Sequence, residues 1–275
     1  FQFGPGRFVA NPDSQNEHLL FRQAVAHAID KDLLVAELTA GSRLISPAVE
    51  PLDSYVGLLD QEHAERPWTL YGVDPSRAKQ LLSEHCAAIG RDCDANPIRI
   101  VLGGSSNQPQ IQTMTRLVSA MLTTVGFEVD VKLRDSSIFF GEVFDSGEWD
   151  LAVLNLHTGS GLSAIRGIHA AYDPAGGPPH GQNYARWGTE DSAIQGDVVE
   201  EFTQLVAAYR SAAEISELRD LAGEADNFLA EEVVSIPLFS VPQVAAVWGD
   251  EISGFKHNTS WGFTWNIEEW QRLDS

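Results

Sequence analysis

A serine flanked by glycines, Gly159-Ser160-Gly161, is the first place in this sequence where a nucleophile could sit. A nucleophile elbow needs G-x-S-x-G, so that the chain turns sharply and exposes the serine oxygen. Here the glycines adjoin the serine directly, as in an ordinary Gly-rich loop. Gly103-Gly104 lies between a strand-like and a helix-like run, where a phosphate-cradling loop would sit. It lacks the third spaced glycine and the Gly-Lys-Ser/Thr ending, so a plain strand-to-helix turn is expected. His157, His169 and His180 share one loop region. A zinc or nickel site is one reading of them and solvent-exposed loop histidines the plainer one; no metal ligand is assigned. Glu200-Glu201 and Glu231-Glu232 fall on or at the ends of helices, where solvation explains them without acid–base work. No catalytic constellation emerges, no cofactor is expected, and the reading is of a protein that is not an enzyme.

The chain has two cysteines, Cys86 and Cys93, in SEHCAAIGRDC. Two thiols fall short of the four ligands of a structural zinc. Gly90 between them can end a helix and turn the chain back. A local disulfide is therefore expected, which implies an oxidising compartment. In the aromatic tail, Trp261, Phe263 and Trp265 alternate. They could line one face of a strand in a ligand cleft or simply pack against protein.

Composition narrows the partners. The 275 residues carry 18 basic and 39 acidic side chains, a formal charge of −21. Nucleic acid needs basic residues to neutralise its phosphates, so it is excluded as a partner, and an anionic membrane surface is disfavoured for the same reason. The acidity reads as solubility. No window is apolar enough for a membrane span. Phe1 follows no secretion signal and no lipid-anchor cysteine in this sequence, so either a signal was removed or the chain begins partway along a longer protein.

The elements that must position these residues follow from periodicity. Residues 1–13 read as a short strand and a loop. Residues 15–29 place Phe21, Val25, Ala28 and Ile29 on one helical face, and a second helix over 31–40 stops at Gly41. Residues 42–70 are irregular. Asp74-Pro75 supplies a cap and a first-turn proline for a helix reaching residue 89. A strand over 98–104, a helix over 109–125, a strand over 127–133, a helix over 137–146 and an apolar strand over 149–156 form a β-α-β-α-β run. That run implies an α/β or α+β core. A long Gly/Pro/His-rich loop follows over 157–192, with one short helix near 164–171; loops of that length are usually functional. Helices over 195–211 and 214–231 come next, then strand-like runs at 235–242 and 245–249.

Several of these stretches, in order, resemble one family. Phe21-Arg22-Gln23-Ala24-Val25-Ala26-His27-Ala28-Ile29-Asp30-Lys31-Asp32-Leu33-Leu34 is close to "VRQAIAYAIDRDLI". Tyr71, Asp74, Pro75, Ala78, Lys79, Leu81 and Leu82 match "Y-x-x-D-P-x-x-A-K-x-L-L". Val125-Gly126-Phe127-Glu128-Val129, Gly147-Glu148-Trp149-Asp150-Leu151 and Ile236-Pro237-Leu238-Phe239, with Gly254 beyond, continue the pattern. Together they resemble the bacterial extracellular solute-binding proteins of family five, which include the oligopeptide-, dipeptide- and nickel-binding receptors of ABC importers.

The resemblance implies a periplasmic-binding-protein type II-like lobe, from a two-lobed receptor about twice this length. On that comparison residues 1–14 are an inter-lobe strand or linker, 15–242 the second, C-terminal lobe, and 243–275 a return segment toward a missing N-terminal lobe. It implies an extracytoplasmic protein, membrane-anchored through an absent N-terminal segment, that captures a small-molecule or peptide-like solute and delivers it to a membrane permease. Ligand contacts in the family follow the W-D-L strand, where peptide receptors often carry a Trp and an Asp for the peptide's amino terminus. Leu156 and Gly159 stand there in this sequence, so an ordinary free peptide fits poorly: its ammonium would lack a carboxylate. The loop offers His157, Thr158 and Ser160 instead, and Asn183, Tyr184 and Trp187 come from an "N-x-x-x-Y/W"-like stretch. These six are the expected ligand contacts, suited to a neutral polar or anionic solute. A ligand-sensing domain of a regulator is the alternative, and a metal-dependent hydrolase a weaker one.

Overall fold

The computed structural model describes residues 1–40, 49–55, 66–155, 170–240, 251–256 and 264–273. Short polar side chains set the helix starts. Asp30 Oδ1 accepts from Leu33 N at 2.9 Å ahead of the Lys31–Thr39 helix. Asp74 does the same for Arg77 N at 2.9 Å, with Pro75 opening the Pro75–Ala88 helix. The Pro109–Val125 helix stops where Gly126 takes φ 121°. The first long helix spans Leu19–Ala28 and begins later than periodicity suggests. Asn16 just before it is committed elsewhere, donating from Nδ2 to the carbonyls of Gln2 and Asp150 at 2.8 Å each.

Three parallel strands form the central sheet: β2 (Arg99–Ser105) in the middle, flanked by β3 (Glu128–Arg134) and β4 (Leu151–Ala152). A two-residue strand β1 (Glu50–Pro51) pairs antiparallel with β5 (Phe239–Ser240), and β6 (Ile252–Ser253) with β7 (Gln271–Arg272). The expected β4 shrinks to two paired residues. Backbone bonds extend its contact with β2 by one residue each way, Asp150 N to Val101 O at 3.0 Å and Val153 N to Gly103 O at 3.1 Å.

Gly103 and Gly104 belong to the strand expected over 98–104 and do not form a strand-to-helix turn. They lie inside β2 with their Cα atoms facing opposite layers. A Cβ on Gly103 would stand 2.9 Å from Phe139 Cε2, and one on Gly104 2.6 Å from Thr115 Oγ1. The bare positions let a helix approach each face of the sheet closely: Pro109–Val125 on one, and on the other a helical run of Ser136–Ile138, a π turn at Phe139–Val143 and Phe144–Ser146.

The opening residues are also corrected, since no strand occurs in 1–13. Gln2 N donates to Asp150 O at 2.9 Å and Phe3 N to Ala185 O at 2.8 Å, and one helical turn, Arg7–Ala10, follows. Gly4 lies against the Arg186 side chain and Gly6 against the Ser146 carbonyl, approaches that a side chain would block. The expected strand at 245–249 and most of the expected helix at 164–171 lie outside the described residues.

Helices Asp197–Ser211 and Ile215–Glu231 pack against each other, and the main core joins Phe21, Trp68, Leu81, Leu122, Phe202 and Phe228. Trp68 and Ser54 both donate to the buried Asp226 carboxylate, at 3.0 and 2.6 Å. Cys86 and Cys93 are disulfide-bonded across the turn that Gly90 closes at φ 68°.

Candidate functional site

In open α/β sheets, ligands meet the rim formed by the C-terminal ends of the strands. Here that rim begins at Ser105, Arg134 and the residues after Ala152. Asn107 fastens the first two loops together. Its Oδ1 accepts from Ser105 Oγ at 2.8 Å, from Ser136 N at 3.1 Å and from the Ser136 hydroxyl, while its Nδ2 donates to Asp135 Oδ2 at 2.7 Å. Asp135 Oδ1 accepts from Ser137 N at 3.0 Å and Ser137 Oγ at 2.8 Å. The Ser137 amide, followed by its hydroxyl, holds the Asp135 carboxyl below the usual carboxylate range.

Beside this polar network stands an aromatic wall. Phe139, Phe144 and Trp149 form a buried cluster of their own, separate from the main core. Phe144 stacks on Trp149 with centroids 5.3 Å apart and planes at 11°. Phe140 packs on Phe139 and Phe144 yet remains 40% exposed. Tyr184 closes the wall, its half-buried ring 4.7 Å from Phe144. The π turn at Phe139–Val143 places Phe139 against Gly103 and carries the chain on to Phe144, and such turns recur at functional sites.

The expected site residues fall into three groups. His157, Thr158 and Ser160 lie outside the described residues, as does His169. Tyr184 lines the aromatic wall. Asn183 and Trp187 are fully buried beneath it. Asn183 Nδ2 donates to Asp173 O at 3.0 Å and Trp187 O at 2.8 Å, and its Oδ1 accepts from Trp187 N at 3.2 Å. The Trp187 ring meets Phe202 and Phe228 edge-on at 5.2 and 5.7 Å. Both residues build the loop from inside the core. His180 is exposed. Among the described residues no group of three His, Cys, Asp or Glu side chains could hold a metal ion, and no helix is long and apolar enough to cross a membrane. Sequence reasoning missed Phe140 and Phe144, whose i, i+4 spacing was a usable signal.

The family model for the middle region of bacterial extracellular solute-binding proteins, family 5, matches residues 9–174, more than half of the chain. The chain belongs to this family. A Brucella ovis relative, provisionally named as an ABC transporter peptide-binding protein, is 27% identical over 173 residues, 61% of this chain and 30% of the relative. The oligopeptide-binding protein AppA of Bacillus subtilis, solved with a nonapeptide, superposes with a TM-score of 0.64 at 14% identity. NikA of Staphylococcus aureus, solved with Ni(L-His)2, gives 0.65 at 14% identity. Each superposition covers 94% of this chain and 48% of the other, so the family-five chain spans about half the length of the solved structures it matches. Its mixed α/β lobe with a parallel sheet has their type II periplasmic-binding-protein fold.

Proposed function

We propose that this chain is one lobe of the extracytoplasmic solute-capturing component of an ABC importer, and that it binds its solute without transforming it. The observation that carries the reading is the family-five match over residues 9–174, on a lobe whose parallel sheet ends in a rim of polar side chains, Ser105, Asn107 and Asp135, where a solute would enter. Residues 15–242 form the lobe, 1–14 the inter-lobe linker, and 243–275 a segment returning to an N-terminal lobe. His157, Thr158 and Ser160 on the segment after β4 and Tyr184 meet the solute, while Asn183 and Trp187 shape the loop below. The solute contacts both lobes only when they close, and so shifts the open–closed equilibrium by its differential affinity. A permease then takes the cargo from the closed form, and an N-terminal anchor holds the receptor at the membrane. The relatives' complexes with a nonapeptide and with nickel–histidine mark the range of ligands the fold accepts. The absence of a Trp and an Asp after the W-D-L stretch, at Leu156 and Gly159, favours a solute other than an ordinary free peptide.

A thermal-shift screen of the full-length protein against peptides, oligosaccharides, amino-acid derivatives and metal chelates tests the reading. A ligand bound only by the folded state at a hundredfold its Kd stabilises by about 2.7 kcal/mol. A selective rise in melting temperature for one class supports a receptor and names its cargo type. A flat response across all classes counts against solute capture.

A further inference from the structure

Asp150, the residue just before β4, bonds through its amide, its carbonyl and its carboxylate at once. Its N donates to Val101 O at 3.0 Å and its Oδ2 accepts from Val101 N at 2.7 Å, so it engages both main-chain groups of one position in β2. Oδ2 also accepts from Asn11 Nδ2 at 2.8 Å. The Asp150 carbonyl accepts from Gln2 N at 2.9 Å and from Asn16 Nδ2 at 2.8 Å. One residue of the sheet thus holds the opening stretch of the chain at Gln2, at Asn11 and at Asn16. All four residues are buried, none more than 2% exposed.

Further bonds close the stretch on itself and on the lobe. Asn11 Nδ2 also donates to the carbonyl of Arg99, the first residue of β2, at 2.8 Å, and Asn16 Nδ2 to Gln2 O at 2.8 Å. Phe3 N donates to Ala185 O at 2.8 Å and Phe3 O accepts from Ala193 N at 2.9 Å, which ties the stretch to the loop before the Asp197–Ser211 helix. The buried Arg7 guanidinium donates through Nη1 to the carbonyls of Phe3 and Gly4 at 2.7 Å each, and pairs through Nη2 with Glu17 at 3.1 Å. A residue that serves as a hinge must change φ or ψ. Here that rotation would break buried hydrogen bonds with no water at hand to replace them.

We propose that Asp150 is the positioning residue of the opening segment: it fixes residues 2–16 to the sheet, so that they move with this lobe as one body and the bend that closes the receptor lies outside them. The proposal deepens the two-lobed reading and rests on it for its functional meaning; the attachment itself does not depend on it. The segment is a strap across the N-terminal ends of β2 and β4, at the end of the sheet opposite the polar rim of Ser105 and Asn107. Changes at Asp150 therefore act on how the lobe is held and not on contacts with the solute.

Hydrogen exchange in the full-length protein tests the attachment and needs no ligand. The Gln2 and Phe3 amides, bonded to Asp150 O and Ala185 O, should show protection within about tenfold of the Asp150 and Val153 amides, which bond across to β2. Weaker protection at Gln2 and Phe3 means a segment that opens on its own, and overturns the proposal. Asp150→Ala strips Val101 N and Asn11 Nδ2 of their acceptor, and should speed exchange at Gln2 and Phe3 by about tenfold or more relative to the Pro109–Val125 helix. Asp150→Asn keeps one acceptor oxygen and should restore much of that ratio. An unchanged ratio in Asp150→Ala, or in Asn11→Ala where Asp150→Ala does not fold, also overturns the proposal. The two-lobed reading fails separately, through a flat thermal-shift response in the solute screen, which leaves these exchange rates as they are.

Discussion

Arg22 and Glu232 stand 210 residues apart in sequence and meet twice: Arg22 Nε donates to the Glu232 carbonyl at 2.9 Å and Nη2 to its carboxylate at 3.3 Å. Nη1 donates to Asn16 O at 2.9 Å, so one guanidinium ties the Leu19–Ala28 helix to the end of Ile215–Glu231 and to the segment before its own helix. Burial lowers the Arg22 guanidinium to about 10 and raises the Glu232 carboxyl. Both directions say that loss of water outweighs the pair's attraction, the usual balance for an ion pair withdrawn from solvent.

Breaking that pair from one side should therefore cost more than replacing it. Arg22→Met leaves the Asn16 carbonyl and the Glu232 carboxylate without their cation, an expected loss of about 2–4 kcal/mol in urea unfolding. Glu232 is 28% exposed and recovers part of its hydration. Arg22→Met with Glu232→Gln should lose less than the sum of the single changes, whereas strict additivity would mean the two are uncoupled.

Tyr184 and Trp187 should separate function from folding. Trp187→Ala empties a fully buried site between Phe202 and Phe228, and a loss of about 3–5 kcal/mol of stability is expected. Tyr184→Ala removes a half-exposed ring and should cost much less stability while weakening solute binding in the full-length protein. Denaturant midpoints and calorimetric titration give the two readings; equal stability losses would contradict the burial difference.

The two glycines of β2 make opposite predictions for the site. An alanine at either position collides with the facing layer, and a cost of about 1–3 kcal/mol is expected for each. Gly103→Ala pushes on Phe139, which belongs to the aromatic wall, so near-UV circular dichroism of that cluster should change. Gly104→Ala pushes on Thr115 in the other layer and should leave that signal intact. The same spectrum from both variants would show that the wall is not coupled through Phe139.

His85 should produce a step in acid stability. Burial, with His18 beside it at 4.9 Å between ring centroids, lowers its imidazole from 6.5 to about 4. The folded state therefore keeps His85 neutral while the unfolded chain takes up a proton near pH 6.5. Its contribution is complete above pH 6.5 and falls away as pH drops toward 4, by up to about 3 kcal/mol. Unfolding free energies measured across that window should slope less in His85→Gln than in the parent, and parallel slopes would rule the step out.

Opening the Cys86–Cys93 disulfide removes a short covalent loop. Loop entropy puts its contribution at about 2–3 kcal/mol, so reductant or the double serine variant should lower the melting temperature. Identical melting with and without reductant would show that the bond does not restrain the unfolded chain.

The elements legible in the sequence are those governed by local chemistry. Asp30 and Asp74 cap helices because a short carboxylate reaches its own first-turn amide, and Gly126 ends one because positive φ suits glycine. The β-α-β-α-β order and the disulfide across Gly90 follow from periodicity and spacing of the same range. Tertiary packing decided the rest. Gly103 and Gly104 fall within a legible strand, but the two layers that their missing side chains admit are seen only in the packing. Asn183 and Trp187 have the residue types of a pocket, but an amide saturated by backbone partners and an indole among phenyl rings are buried by contacts from distant helices. Arg186 takes a conformation that its type disfavours, held by Asp191, by Asp145 and by its approach to Gly4. Caps and periodicity are written within a few residues, whereas burial, saturation and strain exist only once segments far apart in the chain are brought into contact.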